Sequence, residues 1–173
     1  MPTKSLEEII QDMKVSHRTL YVLCGLPYSG KTYLSREIRA KIPCVYVSID
    51  EIFRGSGYDW DSNRLPDEGG WKKIFNDSYR DSQDALKNNM NVLYDSTNHT
   101  RASRDELRRI AGDVGARTKV IYVDAPVEEI WKRWEKNRTM NERSVVDRKL
   151  VEMTVNSFEV PTEDESVLAF KAV

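Results

Sequence analysis

At 173 residues with a formal net charge of −1, the chain is sized for one domain and has no global positive field for a long nucleic acid. Hydrophobic residues make up 39% and charged residues 32%, the balance of a surface-rich globular protein rather than a disordered one. No apolar run approaches a bilayer span, and Met1 to Glu8 lacks the apolar core of a signal peptide. The two cysteines, Cys24 and Cys44, are expected to be reduced and buried, which points to a cytoplasmic compartment.

In chain order, Leu6 to Met13 reads as a short helix with Leu6, Ile9, Ile10 and Met13 on one side. Ser5 and Glu8 have capping-box spacing at its start. Residues 1–18 are thus expected to form a helical extension that covers a sheet edge or a helix pair. Thr19 to Cys24 is apolar and β-prone, as a buried parallel strand should be. It runs into Gly25-Leu26-Pro27-Tyr28-Ser29-Gly30-Lys31-Thr32, and Tyr33 to Lys41 continues as a helix. Two glycines four residues apart, then Lys-Thr, form the phosphate-binding P-loop pattern in its proper strand–loop–helix setting. Glycine lets the backbone curl so that its N–H groups surround a phosphate cluster, and the helix N-terminus favours an anion there. The nucleotide ligands are therefore Gly25, Tyr28, Ser29, Gly30, Lys31, Thr32 and Tyr33. Lys31 reaches toward the β- and γ-phosphates, and the Thr32 hydroxyl helps hold Mg²⁺.

Cys44 to Ile49 reads as the second strand, with Asp50-Glu51 at its C-terminal end. Ligands of open α/β sheets bind beyond the carboxyl ends of the strands, so Asp50 is placed to be a general base or a magnesium ligand. It is equally placed to cap a short helical turn. Residues 54 to 70 are rich in turn formers and hold Tyr58 and Trp60. These aromatics either stack on an acceptor or pack the loop onto the core. Trp71 to Asn89 is helical by period. Asn91 to Asp95 is the third strand and ends in an acid, as a Walker B strand does, so Asp95 is the second magnesium residue. Ser96-Thr97-Asn98 follows at the same edge. A helix from Thr100 or Ser103 to about Ala111 presents Arg101, Arg104 and Arg108 on one face. That face is either solvated, with Asp105 and Glu106 as partners, or a basic contact surface. Thr118 to Asp124 is the fourth strand, and Pro126 opens a helix to about Asn137. Residues 138–145 form a polar connector, Val145 to Phe158 is a further helix, and Val167 to Phe170 is a last strand. Strands alternating with helices call for an α/β fold of the P-loop NTPase type: a five-stranded, mostly parallel sheet sandwiched by helices, in one domain spanning 1–173.

Taken together, Gly30-Lys31-Thr32, Asp50, Asp95-Ser96-Thr97-Asn98, Asp124-Ala125-Pro126, an arginine-bearing lid and Phe158-Glu159-Val160-Pro161 resemble the kinase domain of phage-type polynucleotide 5′-hydroxyl kinases. Zeta-toxin and chloramphenicol-phosphotransferase kinases are more distant in pattern. The resemblance implies ATP and Mg²⁺ as cofactors and transfer of the γ-phosphate to a hydroxyl. It implies Lys31 at the phosphates, Asp50 as the base, Asp95 and Asn98 organising the site, and a lid arginine, Arg138 or else Arg133 or Arg143. The acceptor is expected to meet Arg54, Tyr58, Trp60, Asn98 and Arg101. It is either a nucleic-acid end or a small molecule, with no membrane and no obligate protein partner. In the phage enzymes an arginine follows the base at three residues, whereas here Arg54 follows Asp50 at four. A different class, an NTP-hydrolysing switch, shares the P-loop but has no need of an acid such as Asp50 to deprotonate an alcohol.

Overall fold

The structure, a computed structural model, describes residues 2–140 and 144–172. Five strands form one parallel sheet: β1 (Thr19–Cys24), β2 (Val45–Ser48), β3 (Val92–Asp95), β4 (Arg117–Asp124) and β5 (Val167–Lys171), in the order β2-β3-β1-β4-β5. All pairs in the sheet are parallel, so every strand's C-terminal end lies on the same edge. The helices are α1 (Leu6–Val15), α2 (Lys31–Lys41), α3 (Ile49–Gly55), α4 (Glu68–Lys87), α5 (Arg101–Asp113), α6 (Val127–Met140) and α7 (Arg148–Asn156).

The central strand explains the two layers. All six residues of β1 are buried. Because side chains alternate across a strand, Leu20, Val22 and Cys24 pack one way and Tyr21 and Leu23 the other. The first set meets Phe53, Ile74, Leu86 and Leu107 from α3, α4 and α5. The second meets Ile9 and Met13 of α1 and Leu34 and Ile38 of α2. A continuous apolar run is the signature of a strand covered on both faces. Truncating one of its leucines to alanine costs about 2–5 kcal/mol.

The capping box read at Ser5 and Glu8 is present. The segment before α1 also lies along the β5 edge, where Lys4 N–H donates to the Ala169 carbonyl at 2.7 Å. The irregular stretch is shorter than 54–70. Gly69 and Gly70, read as turn formers, lie in the first turn of α4, because the Asp67 carboxylate accepts from Gly70 N–H at 2.7 Å and starts the helix there. Arg138 also belongs to a helix, since α6 continues to Met140 rather than stopping at Asn137. Arg143 lies outside the described residues.

Candidate active site

The loop between β1 and α2 is wrapped tightly. Gly30 has φ of 107°, a conformation that L side chains rarely adopt. A Cβ at Gly25 would sit 2.9 Å from the Val123 carbonyl oxygen, so the β4 backbone closes one side of the loop. Lys31 curls over the loop and donates from Nζ to the Gly25 and Leu26 carbonyls at 2.7 and 2.8 Å. The Ser29 hydroxyl is buried and has no hydrogen-bond partner among the described residues. A buried hydroxyl without a partner is costly, and a phosphate oxygen seated in this loop would supply one. Thr32 is exposed in the first turn of α2.

Register places the acids. Asp95, last in β3, is level with Leu23 of β1 and Ser48 of β2, two residues before the start of the P-loop and two before Asp50. Gly25 N–H donates to the Thr97 carbonyl at 3.2 Å and ties the loop to the segment after β3. Burial pushes the Asp95 carboxyl above its ordinary value. The Tyr46 hydroxyl, donating at 2.6 Å, and the charge of Lys31 oppose that push, while Asp50 and Glu51 add to it. One carboxylate therefore senses the loop lysine and both acids of α3. Asp50 itself is exposed in the first turn of α3. It is not the cap: Ser48 is, its hydroxyl accepting from Glu51 N–H at 3.3 Å. That leaves the Asp50 side chain available at the sheet edge.

Among the described residues no group of three or more His, Cys, Asp or Glu is assembled to hold a metal by itself. Magnesium at kinase sites is held by one or two side chains plus substrate phosphates, and a hydroxyl at Thr32 with a carboxylate at Asp95 is that kind of donor set.

The arginines sort differently from the sequence reading. Arg133, on α6, donates from Nη1 to the Tyr28 and Ser29 carbonyls at 3.2 Å each, and its Nε bonds Glu129 at 2.9 Å. Arg138 is half exposed and pairs with Glu135 one turn back, with its guanidinium 5.7 Å from the centre of the Trp134 ring. Between these two arginines, Arg133 is the one bonded to the P-loop.

Residues 20–161 match the family model AAA_33, described as an AAA domain. The chain belongs to that family, and its fold is of the P-loop kinase type. The L-seryl-tRNA(Sec) kinase of Methanococcus maripaludis is 30% identical over 119 residues, which cover 66% of this chain and 44% of the relative. A chain of the Pnkp1/Rnl/Hen1 RNA repair complex is similar at 26% identity and a TM-score of 0.69, over 80% of this chain and 43% of that one. A gluconokinase from Sinorhizobium meliloti 1021 shares the fold, with a TM-score of 0.61 at 15% identity, over 90% of this chain and 83% of that one. The chain spans less than half the length of the first two. Among the described residues of the kinase domain, no helix is long and apolar enough to cross a membrane.

The remaining expected site residues fall into two sets. Arg54 is exposed at the end of α3, and Trp60 is 41% exposed with one face stacked on Phe53, ring centres 5.1 Å apart. Tyr58 is half-buried against the same Phe53. These aromatics pack the loop onto the core, and Trp60 keeps a surface for solvent as well. Asn98 and Arg101, expected at the acceptor, are both tied into the fold. Asn98 is buried, and its amide donates to the Leu23 carbonyl at 2.7 Å. Arg101 is held by Asp105 and by Asp164 and Thr162 near the C-terminus. Of the two P-loop tyrosines, Tyr33 is 58% exposed on α2, and the Tyr28 ring is buried between α6 and α7. Tyr46 was missed, although a polar-tipped ring in the strand beside a Walker B aspartate is a readable signal.

Proposed function

We propose that this kinase domain is an ATP- and Mg²⁺-dependent phosphotransferase that moves the γ-phosphoryl group onto a hydroxyl acceptor, with a polynucleotide 5′-hydroxyl end as the acceptor class. The observation that carries the reading is the meeting of three charged parts at one sheet edge: Lys31 on the loop, Asp95 at the end of β3, and Asp50 in the turn after β2. A hydrolase or switch has no use for an exposed carboxylate in that third place.

When bound, Mg·ATP supplies the phosphoryl group and part of the charge neutralisation. The chain supplies the rest. Loop N–H groups and the α2 N-terminus cradle the phosphates. Lys31 leaves its own loop carbonyls for the phosphate oxygens, and Arg133 and Lys31 balance negative charge as the bridging bond breaks. Asp50 accepts the proton of the attacking hydroxyl, so the acceptor oxygen gains phosphorus as it loses hydrogen. Thr32 and Asp95 would hold the magnesium ion, and Tyr46 fixes the orientation of the Asp95 carboxylate. An RNA acceptor is supported by the similarity to an L-seryl-tRNA(Sec) kinase and to a chain of an RNA repair complex.

The test is incubation with γ-labelled ATP, Mg²⁺ and two pools, 5′-hydroxyl oligonucleotides and a nucleoside–sugar–metabolite mixture. Label on the oligonucleotides, lost in Asp50→Asn, is the expected result. Label confined to the second pool makes the protein a small-molecule kinase. Free phosphate alone, with both pools unlabelled, overturns the kinase activity in favour of a hydrolytic switch.

A further inference from the structure

Tyr28 occupies a costly position. It has φ of 65°, in the left-handed region where a non-glycine residue is strained, and it stands in a loop where glycine is otherwise used for such bends. Such a residue persists only where its surroundings repay the strain, and here the ring does so. Only 7% exposed, it packs with Leu26, Ile130, Trp134 and Val151, in a cluster separate from the two sheet faces. Its hydroxyl accepts from Val146 N–H at 3.2 Å. The Val146 carbonyl in turn accepts from the Trp134 indole at 2.9 Å, so Val146 is held from both sides. Two residues earlier, the Ser144 hydroxyl donates to Asp61 in the α3–α4 loop at 2.7 Å. The backbone carbonyl of Tyr28 meanwhile accepts from Arg133. One phosphate-loop residue therefore touches α6 through its backbone and the start of the α7 segment through its side chain, and that segment reaches the loop carrying Trp60.

We propose that Tyr28 is a positioning residue that couples the phosphate loop to the segment Ser144–Val146 and through it to the α3–α4 loop. A phosphate seated in the loop fixes the backbone at Tyr28 and Ser29, and the buried ring carries that order to Val146. The inference rests on the nucleotide-binding part of the proposed function. It gives the ring a role other than phosphate contact, and it explains why a tyrosine stands where glycine would relieve the strain.

The test compares wild type, Tyr28→Phe and Tyr28→Asn, the last because asparagine tolerates the left-handed region without the ring. Mg·ADP is the probe. Its binding is measured by calorimetry, and amide exchange is followed in peptides spanning Val146 to Val151 with and without it. Wild type should bind Mg·ADP and slow exchange in that segment. Tyr28→Phe should bind Mg·ADP within about twofold of wild type, yet exchange Val146 roughly fivefold faster, the worth of one hydrogen bond. Tyr28→Asn should bind Mg·ADP and lose the slowing altogether. In the phosphoryl-transfer assay both variants should lower kcat more than they raise the KM for ATP, with Tyr28→Phe the milder. Equal slowing in all three proteins, with ADP bound, would overturn the coupling and leave the kinase reading intact. No Mg·ADP binding by wild type would overturn both.

Discussion

Arg104 and Glu165 form a two-point ion pair inside the protein, Nε to Oε2 at 2.6 Å and Nη2 to Oε1 at 3.1 Å, although 61 residues separate them. Both side chains are fully buried. The pair is further satisfied: Arg104 Nη1 donates to the Asn98 carbonyl at 3.0 Å, and Glu165 accepts from Thr162 N–H at 2.9 Å. Burial raises the Glu165 carboxyl, but its bonds to Arg104 and Thr162 outweigh that and hold it below the usual glutamate value. This lock pins α5 and the turn before β5 to the Asn98 corner, immediately behind the phosphate loop.

Breaking such a pair strands a buried charge. Glu165→Gln should destabilise the fold by about 3 kcal/mol, the lower range for removing one partner of a buried pair. The pH dependence has a definite sign. A carboxyl lowered in the folded state contributes stability above its unfolded value of about 4.3, and that contribution is lost as the pH falls through the lowered value. Urea denaturation of both proteins should therefore show the gap in full at neutral pH and closing in acid. A gap that is absent at pH 7 would mean that the pair contributes nothing net.

The same pair marks what could be read from the chain and what could not. The strand–loop–helix around Gly25 to Thr32 was legible because its signal is local: an apolar run, two glycines, Lys-Thr and a helical period. So were the acids at the strand ends, because a parallel sheet puts every C-terminal end on one side. The α5 face carries the expected partners, Asp105 for Arg101 and Arg108 and Glu106 for Arg109, but the buried partner of Arg104 was not legible, because Glu165 is distant in sequence and close only in the fold. Arg108 and Arg101 also lie 3.6 Å from Glu165, so the face that looked basic converges on one buried glutamate. The 54–70 stretch was misjudged for a related reason. Asp67 turns a glycine pair into the first turn of a helix, and composition alone weighs the glycines more than the cap.

Asp50 and Lys31 should separate chemistry from binding. If Asp50 acts on the acceptor proton, Asp50→Asn lowers kcat by about 10²–10⁴-fold and leaves Mg·ATP affinity nearly unchanged. Lys31→Ala should abolish transfer and also weaken nucleotide binding, with an unaltered circular dichroism spectrum. Steady-state kinetics beside calorimetric ATP titration distinguish the two. A parallel loss of turnover and affinity in Asp50→Asn would reassign Asp50 to the metal or the nucleotide.

Asp95 offers a trade between activity and stability. Its carboxyl is raised by burial, so its ionised form is disfavoured by the folded protein. With a folded value above the unfolded one, ionisation costs stability once the pH exceeds the ordinary aspartate value of about 3.9. Asp95→Asn keeps an oxygen for the Tyr46 hydroxyl and removes the charge. It should gain about 0.5–2 kcal/mol at pH 7, the usual range for relieving such a site, while transfer collapses. The gain should vanish below pH 4, where both states carry the proton. Thermal melts across that pH range, run without nucleotide, test it directly; a variant that melts lower than wild type at pH 7 would show that the carboxylate is stabilising where it stands.

Arg133 and Arg138 make the sharpest comparison, because they lie on the same helix and only one reaches the loop. Arg133 is oriented by Glu129 and points its Nη1 at the Tyr28 and Ser29 carbonyls, beside the place where phosphates would sit. Arg138 is more than half exposed and spends its guanidinium on Glu135 and the face of Trp134. A surface pair of that kind contributes about 0–1 kcal/mol and nothing to chemistry. An arginine aimed at transferring phosphate is worth far more, up to about 10³-fold in turnover or beyond. Arg133→Ala should thus depress kcat by at least about 10²-fold, and Arg133→Lys should recover part of it, since a point charge replaces the charge but not the fork. Arg138→Ala should change turnover by less than about fivefold, the equivalent of the upper end expected of an exposed pair. Measuring both variants with the acceptor identified in the labelling experiment decides between the two arginines. If Arg138→Ala is the more damaging, the α6 helix must rearrange on nucleotide binding to bring Arg138 to the loop in place of Arg133.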